Sequence, residues 1–176
     1  MRALSRVAQI RLRNEWVWSF DRLVHLRAAE SSDLGFLADV VISATRDQGR
    51  PPDEFDEAGF RVEFERWTTE QIAGRVEGSS TYVIEIDGER VGRLRIIRDQ
   101  RGVEVAGIQL LPRFQSRGIG SEIVALLKTE VASAGSSLEL SVEKDNPRAQ
   151  AFYKRHGMVV IDTTGSENRL RWTPDG

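Results

Sequence analysis

The spacing of apolar and polar positions divides the chain into short elements. Residues 23–27 alternate and predict a strand. Ser31-Ser32-Asp33 carries helix-start chemistry, and Leu34, Leu37 and Val41 follow at helical spacing. Gly49-Arg50-Pro51-Pro52 breaks that pattern and predicts a loop over 46–53. Phe60, Phe64 and Trp67, at i, i+4 and i+7, predict a second helix that ends before Gly78. Residues 81–86 alternate and stop at Asp87-Gly88, a two-residue hairpin signal, so 91–98 is the return strand. A turn at 99–102 leads into a strand over 103–111, ended by Pro112. Residues 118–134 predict a third helix with Ile119, Ile123, Leu126, Leu127 and Val131 on one face. A strand over 137–142, a short helix over 147–156 and closing strands over 158–162 and 169–172 complete the series.

The order β-α-α-β-β-β-α-β-α-β-β predicts an α+β fold. It has a mixed, mostly antiparallel twisted sheet of about seven strands, flanked by about four helices, in one domain over 23–176. Residues 1–22 read as an N-terminal extension. Arg2, Arg6, Arg11 and Arg13 make it basic, and Trp16, Trp18 and Phe20 at period two suit a short strand. It lacks the continuous apolar stretch and small-residue cleavage site of a secretory signal.

Composition removes several classes of function. With 40% hydrophobic residues among 176, the chain holds enough apolar surface for one core, which excludes disorder as its overall state. No apolar run approaches the roughly 20 residues of a membrane span, so a soluble, cytoplasmic protein without a membrane partner is expected. There is no cysteine, which excludes disulfides, thiolate metal sites and an acyl-cysteine intermediate. His25 and His156 are the two histidines, too few for a His-rich metal site, and no metal is expected. The net charge of −2 gives no global attraction for nucleic acid. Charge is uneven locally, however. Residues 90–117 carry seven arginines against Asp99 and Glu104, whereas 53–70 carry seven acids against Arg61 and Arg66. The first segment suits an anion and the second a cation, unless both are simply solvated faces.

Two segments carry chemistry. Gln115-Ser116-Arg117-Gly118-Ile119-Gly120-Ser121 follows an apolar strand and opens an amphipathic helix. Such a junction gathers backbone N–H groups at a positive helix end, and two glycines let a diphosphate approach the main chain. The segment has neither the Gly-Lys-Ser/Thr ending of a P-loop nor the third glycine of a dinucleotide fingerprint. The second segment is Asn146-Pro147-Arg148-Ala149-Gln150-Ala151-Phe152-Tyr153-Lys154-Arg155-His156-Gly157. Asn146 suits an N-cap, Pro147 the first helical position and Gly157 the C′ position. Asn146 and Tyr153 then share a face about 10 Å apart along the axis, so one can hold a ligand while the other acts on its far end. The Tyr153 phenol is a proton donor suited to a leaving thiolate.

Together, these segments resemble the GNAT superfamily of acyl-CoA N-acyltransferases over residues 23–172, through the strand GVEVAGIQLLP, the loop QSRGIG, the strand LELSVEKDN and the helix NPRAQAFYKRHGM. The resemblance implies a sheet splayed between its fourth and fifth strands. Acetyl-CoA would enter that gap, its pantetheine along Ile108, Gln109 and Leu110. Its diphosphate would lie on Gln115, Ser116, Arg117, Gly118, Ile119, Gly120 and Ser121, with Asn146 and Phe152 on the cofactor arm. It also implies Tyr153 as general acid. Glu104 occupies a position resembling the glutamate base of histone-acetylating relatives. Where N-terminal acetylases of ribosomal proteins place an acidic residue five before the asparagine, this chain has Ser141. Glu143 and a water relay are the alternative bases.

The function so implied is N-acetyl transfer from acetyl-CoA to a primary amine, on a small molecule or a peptide, by direct attack in a ternary complex. The rival is a non-catalytic acyl-CoA-binding or sensor module of the same fold. No nucleic-acid partner is expected, because the arginines of 90–101 straddle a hairpin instead of lining a helix. A homodimer is open to such a fold.

Overall fold

The computed structural model describes residues 10–12, 15–20, 22–49 and 55–174. Its strands are β1 (Ile10–Leu12), β2 (Glu15–Phe20), β3 (Arg22–Ala28), β4 (Ser79–Ile86), β5 (Glu89–Asp99), β6 (Gly102–Leu110), β7 (Ser137–Glu143), β8 (Val159–Thr164) and β9 (Glu167–Trp172). Its helices are α1 (Leu34–Asp47), α2 (Glu57–Ile72), α3 (Ile119–Ser133) and α4 (Pro147–Arg155). The strands form one mixed sheet in the order β1-β2-β3-β4-β5-β6-β7-β9-β8. All seven strands and four helices expected from periodicity are present, and β1 and β2 precede them. β2 pairs antiparallel with β3 from Glu15–Arg27 to Phe20–Arg22.

The described residues group into two compact units. The first takes those up to Arg75, with Ser80–Leu94 and Gln109–Gln115. Here α1 buries Leu37, Ala38, Val40, Ile42 and Ala44. Leu37 joins Ala29 and Val83 in a core against which Phe36, Phe64 and Ile72 pack. Each fully buried aliphatic side chain contributes about 2 kcal/mol. The spacing that predicted α2 holds, but Trp67 does not face inward: it is 47% exposed, and α2 buries Thr68 and Gln71 instead. Gln71 is held by Thr81, whose hydroxyl donates to its carbonyl over 2.9 Å. Asp87 and Gly88 both have positive φ, 51° and 81°, as a type I′ hairpin between β4 and β5 requires. Buried Asp33 ties the unit's strands to its first helix. It accepts from both ends of the Arg27 guanidinium at 2.9 Å and from the Glu30 N–H at 2.9 Å.

The second unit takes Val76–Ser79, Arg95–Ile108 and the residues from Ser116 onward. α3 buries Ile119, Ile123, Val124, Leu127 and Val131, and β7 buries Leu138, Leu140 and Val142. The apolar positions of β7 recur every second residue, which leaves Glu139, Ser141 and Glu143 on its other face, where Glu139 is buried as well. β8 lies at the sheet edge, with Val159 and Val160 exposed. Its register against β9 slips between Val160 and Asp162, so Ile161 is the extra residue of a bulge. A bulge of this kind blunts an edge strand against further pairing. No described helix is long and apolar enough to cross a membrane.

Candidate active site

The loop before α3 is built from unusual backbone angles. Ser116 has φ +59° and Gly118, the N-cap of α3, has φ +87°. A left-handed residue on either side of Arg117 turns successive N–H groups toward one side, a concavity that suits an anion. The first bond of α3 runs from the Glu122 N–H to the Gly118 carbonyl at 3.0 Å. The N–H groups of Ile119, Gly120 and Ser121 therefore lie in the first helical turn, where no carbonyl within the helix can accept them and the dipole is positive. The two glycines differ in purpose. A Cβ at Gly118 meets nothing within 4 Å, so glycine is needed there for φ. A Cβ at Gly120 comes 3.3 Å from Cζ of Phe152, so glycine there admits the neighbouring ring.

Three contacts join this loop to α4. Arg148 Nη2 donates to Ser116 Oγ at 3.1 Å. Phe152 sits over Gly120. Ser121 Oγ lies 3.1 Å from His156 Nε2. α4 itself is bounded as its residues predict. The Asn146 carbonyl oxygen accepts from the Ala149 N–H at 3.0 Å, Pro147 takes the first helical position, and Gly157 follows with φ +70°. Tyr153 is 8% exposed, and burial pushes its phenol up to about 12. At neutral pH it therefore holds its proton. The Phe152 ring meets Tyr153 edge-on at 5.0 Å and lies 4.6 Å from the His156 ring. Of the residues singled out in the sequence, Ser116–Ser121, Asn146, Phe152 and Tyr153 thus form one group.

Glu104 and Ile108 stand on β6. Its parallel pairing with β7 runs from Gly102–Ser137 to Val105–Leu140, whereas β7 continues to Glu143. The two strands part beyond that point, as the splayed sheet requires. Glu104 is one residue before the last pair, opposite Glu139, and Ile108 lies beyond it. Glu104 lines a shallow hollow with Asp99, Arg101, Ser137, Glu139 and Arg169. Arg95 is near it, and burial lowers the affinity of that guanidinium for its proton. Buried Glu139 accepts from Arg169 and Arg171, each at 2.7 Å. Glu143 ends β7, and its carbonyl receives the Asn146 N–H at 3.0 Å.

Gln109, Leu110 and Gln115 fall in the first unit. Gln109 accepts from buried Arg93 at 2.9 Å, and the Arg93 guanidinium lies 5.2 Å from the centre of the Phe64 ring. Gln115 Nε2 donates to the Leu110 carbonyl at 3.2 Å and closes the turn after β6. Many charges of the two segments are neutralised by ion pairs, most of them with partners outside the segments. Glu57 meets Arg46, Glu63 meets Arg66 and Glu70 meets Arg75, while Arg98 meets Glu130, Arg101 meets Asp99 and Arg113 meets Glu89. Asp53 and Glu54 lie outside the described residues.

Sequence reasoning missed Arg148 and His156 as parts of this group. Both stand in the α4 segment, but nothing local to α4 reveals that they reach across to residues 32 and 35 positions earlier.

The sequence profile of the Acetyltransferase (GNAT) family matches residues 41–158. The fold is similar to that of the PaiA N-acetyltransferase of Thermoplasma acidophilum, solved in complex with coenzyme A, with TM-score 0.73 and 18% identity over 85% of this chain and 98% of that one. It is also similar to the Salmonella typhimurium acetyltransferase that modifies the N-terminal serine of ribosomal protein L7/L12, with TM-score 0.63 and 19% identity over 85% of this chain and 94% of that one. A third likeness is a spermidine N-acetyltransferase SpeG chimera from Vibrio cholerae and hSSAT, with TM-score 0.64 and 19% identity over 85% of this chain and 95% of that one. The matched residues include β6, the loop before α3, all of α3 and β7, and α4 with Tyr153, and on this ground the chain belongs to the acetyltransferase (GNAT) family.

Proposed function

We propose that this protein is an acetyl-CoA-dependent N-acetyltransferase that acts on a primary amine by direct attack in a ternary complex. The observation that carries this reading is the coupling of an anion-binding loop to a buried phenol through α4. Ser116 and Gly118 curl the loop, Arg148 braces it, and the same helix holds Tyr153 protonated. The residues fit the co-substrate. The open space above Gly118 admits a phosphate, and the N–H groups of Ile119, Gly120 and Ser121, with Arg117, suit the charge of a diphosphate. By the family resemblance, the main chain of Ile108, Gln109 and Leu110 on β6 is the stretch that would pair with the pantetheine arm, and Asn146 and Phe152 are further candidates for the cofactor arm.

Acetyl-CoA supplies an activated thioester. In the proposed reaction the acceptor amine loses a proton to Glu104 and forms a bond from nitrogen to the acetyl carbon. The carbon–sulfur bond then breaks, and the departing thiolate takes the Tyr153 proton. Burial disfavours the phenolate that the transfer leaves, so the proton passes only as the carbon–sulfur bond breaks; the phenolate then regains a proton from water, and Glu104 returns the proton of the amine to water. Glu104 suits the base through its place just before the point where β6 and β7 part.

The test is release of free CoA from acetyl-CoA across a panel of amines that includes polyamines, amino acids and peptide N-termini. Amine-dependent release is expected. Tight binding of acetyl-CoA with no release for any amine would instead support a binding module.

A further inference from the structure

We infer that His156 is a positioning residue for the cofactor loop, which decides whether the Ser121 hydroxyl is turned toward its own imidazole or toward a bound diphosphate. This rests on the proposed reading of that loop and adds a residue to it.

Ser121 is the third residue of α3, and its Oγ is 3.1 Å from His156 Nε2. A hydroxyl has one hydrogen. Neutral His156 is assigned the tautomer with its hydrogen on Nδ1; the hydroxyl hydrogen then goes to Nε2, and Oγ faces any incoming phosphate with lone pairs alone. With imidazolium, Nε2 becomes the donor, Oγ accepts, and the hydroxyl hydrogen is released to donate to a phosphate oxygen. The two states differ by one donor aimed at the anion and by one unit of positive charge beside it.

The surroundings set the resting state. On α3, Lys128 Nζ donates to the His156 carbonyl at 2.6 Å and lies 4.5 Å from the Trp172 ring on β9. On α4, Arg155 is the preceding residue and the Phe152 ring lies against the imidazole. Burial, then Lys128 and Arg155, hold His156 below its ordinary value. The neutral form, with Ser121 turned inward, therefore rests at neutral pH. A dianionic diphosphate opposes those two cations and favours the imidazolium, so binding takes up a proton.

The experiment is calorimetric titration of the full protein with dephospho-CoA between pH 8 and 5.5, in paired buffers of different ionisation enthalpy. Dephospho-CoA is the probe because the 3′-phosphate of CoA titrates near pH 6 and would mask the effect. Wild type is expected to bind about tenfold more tightly at the acid end, with fractional proton uptake near neutrality, the value of one charge-assisted donor. Ser121→Ala and His156→Gln should both flatten the pH dependence. Gln can donate without titrating but carries no charge, so His156→Gln should bind with an affinity between the acid and alkaline values of wild type. Tight but pH-independent binding by wild type overturns the positioning role and leaves the diphosphate reading intact. A pH dependence that survives in both variants overturns it as well. Absence of binding at every pH overturns the reading and the inference together.

Discussion

Arg148 Nη2 and Ser116 Oγ are 3.1 Å apart, and this bond fastens the first turn of α4 to the left-handed residue that starts the loop before α3. A positive-φ serine is a strained choice that the surrounding structure has to hold. Arg148 is itself exposed, so its removal leaves the core intact. We predict that Arg148→Ala weakens CoA binding about five- to tenfold and shifts thermal stability by no more than about 0.5 kcal/mol. Calorimetry and a thermal melt check both parts. Arg148→Lys, which keeps charge without the planar fork, should recover only part of the affinity.

The two loop glycines should respond differently to the same substitution. At Gly118 an added side chain enters open space but must adopt φ +87°, which costs about 1 kcal/mol. At Gly120 the backbone is relaxed, but any side chain presses on Phe152 from 3.3 Å. Gly118→Asp should stay folded and lose CoA binding through like charge. Gly120→Asp should lose binding and also melt earlier, because Phe152 packs against both Tyr153 and His156. Equal melting temperatures for the two variants would count against the packing role of Gly120.

Tyr153→Phe preserves the ring and removes the proton. Turnover should fall roughly 100-fold with an unchanged Michaelis constant and unchanged CoA affinity. Because burial pushes the phenol up to about 12, the wild-type rate should show no descending limb from this group anywhere below about pH 11. A limb near pH 9 that vanishes in the phenylalanine variant would contradict the protonated, buried state.

Glu139 gives a prediction for stability in acid. Burial alone would raise its carboxyl, but the bonds from Arg171 and Arg169 outweigh this and hold it below the usual carboxylate range. A depressed value means that the folded state prefers the charged form. The gain is complete above the unfolded value of about 4.3 and is lost as pH falls through the folded one. Both arginines are partly exposed, at 38% and 42%, so after screening the pair is worth about 1–2 kcal/mol. Glu139→Gln should show that loss in urea unfolding at pH 7, and the gap to wild type should close as pH falls below 4.

Much of this fold is legible in the sequence because its elements are short and sharply punctuated. Asp87-Gly88, Pro112, Asn146-Pro147 and Gly157 each mark a boundary within a residue or two of the observed one. The exception inside an element is α2. Phe60, Phe64 and Trp67 set its period, but the buried stripe continues through Thr68 and Gln71, polar residues that a hydrophobic pattern cannot nominate. The Ser116–Ser121 and Asn146–Tyr153 segments are legible because backbone conformation and capping are local. What joins them is not. Arg148 to Ser116 and His156 to Ser121 depend on how α4 docks on α3, and no spacing within either helix encodes it. Likewise, the charge of 53–70 and 90–117 suggests open fields, yet Glu57, Glu63, Glu70 and Asp99 each meet an arginine once the chain is folded.

Glu104 poses the sharpest kinetic question. It is opposite Glu139 and one residue before β6 leaves β7, with Arg95 and Arg101 as the nearby cations. Glu104→Gln keeps the shape but cannot accept a proton. If Glu104 takes the proton of the amine, turnover should drop about 10²–10⁴-fold at neutral pH, and the loss should shrink at high pH as free amine accumulates. If instead it only attracts a cationic acceptor, the Michaelis constant should rise while turnover holds. The arginines beside it weaken that second role, because they cancel the field that a lone carboxylate would project toward a cation. We therefore expect the first outcome in a pH–rate profile of this one variant. A profile identical to wild type would return Glu104 to the surface and pass the role to Glu143 or to water.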